Sequence, residues 1–372
     1  MTTLQRIVVT WMATAYGGAE KSSLELCRTI RQRYQFDVVL IIWQYGEDFD
    51  FADEHGEISV VRCHTADEYR RHVTGALSSN PGSTVVFSNH RTYAIDLRLA
   101  EQGAVPCGVI FRQTPMSNEL LRTLPSAEST ELVYRRGNEL DWGALQNAAA
   151  LVGVSNFGVH GIEQFAKQHR NVARIYNGLR IPGERPAITV RNVRRFLIVA
   201  RLIDWKAVNF GIEAFARLAR DYPDIRLQVA GDGPEAARLH QLADQLQISN
   251  RVEFLGFVND IRWVYLNNDC LLHPCGIESF GRVVVEASLC GLLTVVTQSA
   301  GTGELVINEH TGLTFRPNDL TDCVRAMDCA YHLSESDFAR LASGAQQRAE
   351  AMFNPERLAQ EYVELANSML DR

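Results

Sequence analysis

Apolar residues in this chain come in short, nearly unbroken runs. RIVVTW (6–11), DVVLIIW (37–43), ISVVRC (58–63), TVVFSN (84–89), CGVIFRQ (107–113) and ALVGVSN (150–156) fill the first half. They are too short for helices and too continuous for half-exposed strands. They predict strands buried on both faces, as in parallel sheets. Polar-faced stretches lie between several of them. In AEKSSLELCRTIRQRY (19–34), Leu24, Cys27 and Ile30 recur at helical spacing. Alternating strands and helices predict a parallel sheet with helices on both faces. The interval 115–148 has no clear strand and predicts a helical insertion or a mobile loop.

The pattern breaks at NGLRIPGERPAITVRNVRR (177–195), where Gly178, Pro182, Gly183 and Pro186 cluster as in a linker. Alternation then restarts with RFLIVARL (195–202), IRLQVAG (225–231), VEFLGF (252–257), CLLHP (270–274) and LLTVVT (292–297), and with helical stretches at 208–222 and 235–247. The expected organisation is an α/β chain with two Rossmann-like, doubly wound parallel-sheet domains. Residues 1–180 form the first and 195–353 the second, with 181–194 as linker. A last helix over 354–372 packs back toward the first domain. Open parallel sheets bind ligands beyond the carboxyl ends of their strands. Two such sheets facing each other leave a cleft, so the chemistry is sought just after strands.

Composition narrows the class. The chain has 372 residues, 46% hydrophobic and 22% charged, enough for sizeable cores. No apolar run reaches the roughly 20 residues that span a bilayer, and the amino-terminal stretch does not read as a signal peptide. Eight scattered cysteines show neither CxxC pairs nor zinc spacing, so free thiols in a reducing compartment are expected. The expected location is cytoplasmic. The formal charge is −7. Residues 1–185 carry 19 basic and 20 acidic side chains, against 18 and 24 in the rest, which is no nucleic-acid footprint. Only Lys21, Lys167 and Lys206 are lysines among 37 basic residues.

Four constellations follow strands. YGGAEKSS (16–23) sets Gly17 and Gly18 before a helix, a turn that lets backbone approach an anion. It has neither the GxGxxG nor the GK[ST] pattern. VARLIDWKAVNF (199–210) places Arg201 at a strand end and Lys206 five residues on. Both could reach one anion, Arg as a fork and Lys as a point charge. HPCGIESFGRVVVEA (273–287) holds Glu278 in the loop before a helix that starts near Arg282, and Glu286 on the helix's second turn. Paired carboxylates suit sugar and ribose hydroxyls. Gly301 and Gly303 in QSAGTGELVINEHTG (298–312), and AGDGPE (230–235), supply loops that let backbone pass close to a ligand. Each constellation alone also fits ordinary turns and solvated charges. Together they occur in order, where a two-domain α/β enzyme keeps its site.

ESFGRVVVEA resembles the E-x7-E motif, and ARLIDWK the R-x4-K motif, of the retaining glycosyltransferases of family 4, which have the GT-B fold. YGGAE resembles that family's glycine loop, VGVSN and IYNG the end of its first domain, and FLGFVND the segment beside the nucleobase. The resemblance spans most of the chain and is densest from 195 to 315. It implies that Arg201 and Lys206 hold the donor diphosphate and stabilise the leaving group, with no divalent metal and no cofactor required. It implies that Glu286 binds ribose, that Glu278 contacts the transferred sugar, and that backbone at Ser279, Phe280 and Gly281 supports sugar and phosphate. Gly17 and Gly18 would cover the diphosphate, and Phe257 and Val258 would lie by the base. Many relatives carry a histidine after the fifth strand. Here that segment reads VIFRQTP, so His90 and Arg112 stand as candidate sugar contacts.

The implied activity is transfer of a sugar from a nucleoside-diphosphate sugar, UDP- or GDP-linked, to an acceptor hydroxyl. The acceptor would be a glycan or a lipid-linked sugar in bacterial polysaccharide or lipopolysaccharide assembly. A small soluble acceptor and a UDP-sugar 2-epimerase of the same fold are the alternatives, and no nucleic acid is expected. Tyr69-Arg70-Arg71 and Tyr134-Arg135-Arg136 combine aromatic and basic residues and are candidates for peripheral contact with the inner face of the membrane.

Overall fold

The computed structural model describes residues 3–13, 18–44, 58–89, 91–112, 115, 140–181 and 183–371. They fall into two compact units. The first contains β1 (Arg6–Ala13), α1 (Gly18–Tyr34), β2 (Asp37–Gln44), β3 (Ser59–Cys63), α2 (Ala66–Ser78), β4 (Thr84–Asn89), α3 (Tyr93–Gln102), β5 (Cys107–Phe111), α4 (Trp142–Leu145), β6 (Ala150–Gly153), α5 (Asn156–Phe165) and β7 (Val172–Arg174). Its strands pair in the order β3-β2-β1-β4-β5-β6-β7, all parallel. All residues of β4, β5 and β6 are buried, as their unbroken apolar runs predict.

The second unit contains β8 (Arg195–Val199), α6 (Val208–Leu218), β9 (Arg226–Ala230), α7 (Ala236–Gln245), β10 (Val252–Gly256), α8 (Ile261–Leu266), β11 (Cys270–His273), α9 (Arg282–Leu289), β12 (Leu293–Thr297), β13 (Leu313–Phe315), α10 (Leu320–Tyr331) and α11 (Glu335–Met352). Its sheet is parallel, in the order β10-β9-β8-β11-β12-β13. Residues 183–194 pack on this unit. Arg185 donates to Gln346, Arg191 donates to the carbonyls of Leu266 and Asn268, and Val193 joins the core.

The chain then returns to the first unit as α12 (Pro355–Leu370). The Asn354 side chain caps it by accepting from the Arg357 N–H, and Pro355 occupies its first turn. Leu358, Ala359, Tyr362, Val363, Ala366 and Met369 form one apolar stripe packed with Ile7, Val9, Leu26, Ile30 and Phe87. The Tyr362 ring meets Phe87 edge-on at 5.0 Å.

Two short strands, β7 and β13, and helix α11 are elements that periodicity does not announce. Three residues make no period. In α11 much of the buried face is alanine (Ala342, Ala345, Ala349), which carries little amphipathic contrast. Of the interval 115–148, only 115 and 140–148 lie within the described residues, and α4 is there. Tyr69 is not a membrane anchor. It is fully buried, and its hydroxyl donates to Asp96 at 2.7 Å. Asp96 also accepts from Thr10 (2.7 Å) and Ser88 (2.5 Å), so one carboxyl joins β1, β4, α2 and α3. Tyr134-Arg135-Arg136 lies outside the described residues.

Candidate active site in the second unit

The strand order of the second unit reverses between β8 and β11. From β8 the chain winds outward through β9 and β10, then returns to β11 and winds the other way. Crossovers diverging from neighbouring strands leave a crevice beyond their carboxyl ends. Two loops emerge there. One follows β8 and carries exposed Arg201, then a tight turn over Asp204–Lys206, then Ala207 in the left-handed region (φ 52°) before α6. The other follows β11 and carries Cys275 and Glu278 into α9.

Lys206 and Glu278, 72 residues apart, meet there: the ammonium donates to the carboxylate, and both side chains are largely buried, at 15% and 19% exposure. The Lys206 Nζ also lies 4.2 Å from the centre of the Trp205 ring. Burial pushes the Glu278 carboxyl up. The cations beside it, Lys206 first and then Arg201, outweigh it and hold the group below the ordinary glutamate range. Glu278 is therefore ionised at neutral pH. Glu286 sits on the second turn of α9, where it accepts from the Tyr265 hydroxyl at 3.0 Å and pairs with Arg282 at 3.3 Å. Burial and then the Glu286 charge raise Tyr265 well above the usual phenol, so it stays a donor.

The loop over 276–281 is braced by its neighbour. The Gly301 N–H donates to the Glu278 carbonyl at 2.8 Å, and Ser299 Oγ donates to the Gly276 carbonyl at 2.7 Å. A Cβ at Gly301 would lie 1.9 Å from the Ser279 carbonyl oxygen. At Gly231 it would lie 1.8 Å from the Ala200 oxygen, next to Arg201. These glycines let backbone pass close to the chain's own site loops; their role is to seat Glu278 and Arg201. Gly281 is left-handed (φ 88°) at the amino end of α9, and Ser279 and Phe280 beside it are buried.

Among the described residues one group has metal-ligand geometry: a ligand atom each of His273, Cys275 and Glu278 lie within 4.8 Å of one another. Two of the three are engaged otherwise. Lys206 already occupies the carboxylate. Burial pushes the Cys275 thiol up to about 12, so it remains protonated. Burial also pushes His273 down to about 4, which keeps its imidazole neutral and leaves it alone of the three in available ligand form.

Arg201, Lys206, Glu278, Ser279, Phe280, Gly281 and Glu286 thus lie on the two loops and α9, and among them Lys206 and Glu278 meet directly. Phe257 (74% exposed) and Val258 follow β10, the edge strand two places from β8. The Gly231 N–H to Gly256 carbonyl bond (2.7 Å) ties their loop to the one after β9. Gly18 and Arg112 belong to the first unit. Gly18 opens α1. Arg112 is buried at the end of β5, where it donates to Asn177 and lies 5.8 Å from the Trp11 ring centre. Gly17 and His90 lie outside the described residues. Sequence reasoning missed Tyr265, His273 and Cys275. The only signal was that His273 and Cys275 directly precede the E-x7-E stretch.

Residues 185–348 match the family model for glycosyl transferases group 1. The chain is 31% identical over 150 residues to the phosphatidylinositol N-acetylglucosaminyltransferase gpi3 subunit of Schizosaccharomyces pombe, covering 39% of this chain and 33% of that protein. It is 24% identical over 270 residues to the N-acetyl-alpha-D-glucosaminyl L-malate synthase of Bacillus anthracis, covering 69% and 70%. It spans about a third of the length of the first curated relatives it matches. Among solved structures, HepE of Anabaena in complex with UDP-glucose superposes with a TM-score of 0.77 at 21% identity, covering 98% of this chain and 99% of that one. The two parallel-sheet, Rossmann-like units are those of the GT-B fold.

Proposed function

We propose, from the match of residues 185–348 to the family model for glycosyl transferases group 1, that the chain moves a sugar from a nucleoside-diphosphate sugar to an acceptor hydroxyl with retention. One observation carries the reading: Lys206 meets Glu278, with the Arg201 charge acting on the same carboxylate, at the switch point of the second unit's sheet, and Glu286 follows on α9. Two cations there match a diphosphate and offset the charge that grows as it leaves. That is work a divalent metal would otherwise do. The two carboxylates match hydroxyls, Glu286 those of ribose and Glu278 those of the transferred sugar.

In the step itself the bond from the anomeric carbon to the phosphate oxygen breaks. The acceptor oxygen bonds to the same carbon on the face being vacated. The acceptor's proton passes to the departing phosphate oxygen. No side chain need attack. The bound UDP-glucose of HepE supports UDP as the carrier. The names of two relatives support N-acetylglucosamine beside glucose as the sugar. For the acceptor, a glycan or lipid-linked sugar of cell-surface assembly is our reading. The L-malate synthase, matched over 70% of its length, favours a small hydroxy acid as the second one.

The test is a thermal-shift panel of UDP, GDP, ADP and CMP with their sugar conjugates. A ligand bound by the folded state alone raises the melting temperature. UDP and its sugars are expected to raise it, and Lys206→Ala to abolish the shift. A shift that survives in Lys206→Ala, or none with any nucleotide, overturns the reading.

A further inference from the structure

Lys206 and Glu278 neutralise each other, yet the proposed function needs both for the donor. An ammonium that turns to a diphosphate leaves Glu278 behind. A largely buried carboxylate without a donor is costly, and a sugar hydroxyl bound to it would be poorly fixed. The site therefore needs a second donor for Glu278, used only when the donor is bound.

We propose that His273 is a positioning residue for Glu278, its Nε2–H taking the carboxylate when Lys206 swings to the phosphates. This rests on the donor-binding role given above to Lys206. His273 is the last residue of β11 and is 3% exposed. Its Nε2 is buried and has no hydrogen-bond partner. A histidine kept only for packing would have that atom satisfied, as buried polar groups generally are. The ring lies within 4.8 Å of the Glu278 carboxylate. From a separation of at most 4.8 Å between a ring nitrogen and a carboxylate oxygen, hydrogen-bond range is reached by side-chain shifts of about 2 Å. The loop backbone is held by Gly301 and Ser299, so the movement falls to the side chains. The neutral imidazole, its charged form disfavoured by burial, donates an N–H hydrogen bond without bringing a second charge beside the phosphates.

Lys206→Met imitates the departure of the ammonium without any ligand. In 15N-histidine-labelled protein, the His273 Nε2–H signal should become protected and move downfield in Lys206→Met. It should return to its wild-type position in Lys206→Met/Glu278→Gln. No change between those two variants overturns the proposal. Nucleotide-sugar hydrolysis gives the second readout. His273→Leu should lower kcat at least tenfold with KM within twofold. His273→Gln, which keeps a side-chain N–H donor, should restore kcat to within threefold. In a Glu278→Gln background, His273→Leu should cost less than twofold. Equal losses in Leu and Gln, or an undiminished loss beside Glu278→Gln, would mean that the histidine merely packs. The labelled spectra need no substrate. A wild type that binds no nucleotide would defeat the proposed function and leave this coupling measurable.

Discussion

Two residues of the site titrate below their exposed counterparts, for different reasons. His273 is pushed by burial from 6.5 to about 4. The unfolded chain accepts that proton near pH 6.5 while the fold refuses it, so stability is lost as pH falls from 6.5 toward 4. At full extent this is about 3 kcal/mol. Glu278 is held below 4.5 by its cationic neighbours against the opposing effect of burial. Its contribution is present above 4.5 and is lost as pH falls through the lower folded value. Urea midpoints of the second unit between pH 7 and pH 3.5 should therefore decline in two windows. His273→Gln should flatten the upper one and Glu278→Gln the lower. A His273→Gln profile parallel to wild type above pH 5 would show that the histidine is not buried neutral. The charges themselves were legible in ARLIDWK and ESFGRVVVEA; His273 was not, because nothing local distinguishes a strand-end histidine from a core one.

Among the elements, glycines separate two kinds of constraint. Gly301→Ala sets a Cβ 1.9 Å from the Ser279 carbonyl oxygen, and backbone cannot yield as a side-chain tip can. It should cost about 3 kcal/mol or more and loosen Glu278 with it. Gly75, on α2, has nothing within 4 Å of a built Cβ. Gly75→Ala should instead stabilise by about 0.5–1 kcal/mol through helix propensity. Chemical denaturation of both variants checks the pair, and equal effects would remove the distinction. Both residues read in sequence as glycines near helices or turns. Strands such as β4 and β5 were legible because every residue is buried and the apolar run is unbroken. β13 was not, since its three residues gain their place only by pairing with β12.

Over the whole molecule, chain order and packing order part company. α12 follows the second unit in sequence but supplies Tyr362, Val363, Ala366 and Met369 to the core of the first. A chain ending at residue 352 should uncover that face of the first unit and leave the second intact. Limited proteolysis should then degrade residues before 180 fastest, while a nucleotide-dependent shift persists in the remainder. Loss of the shift together with the first unit would show that the two do not fold independently. No helix among the described residues is long and apolar enough to cross a membrane.

What the sequence alone determined is local and periodic. It set which runs are buried on both faces, where the alternation of strand and helix halts and restarts, and which charged residues follow strands at fixed spacing. Those are properties of neighbours along the chain. The tertiary structure alone decided who meets whom. Lys206 finds Glu278 across 72 residues because sheet order makes β8 and β11 neighbours. Glu286 finds Tyr265 because α8 and α9 approach beyond the same sheet. Gly301 faces Ser279, and the Nε2 of His273 is left without a partner beside a carboxylate already taken. Spacing along a chain carries chemistry only as far as one element reaches; past that, strand pairing sets the distances on which an ion pair or a hydrogen bond depends.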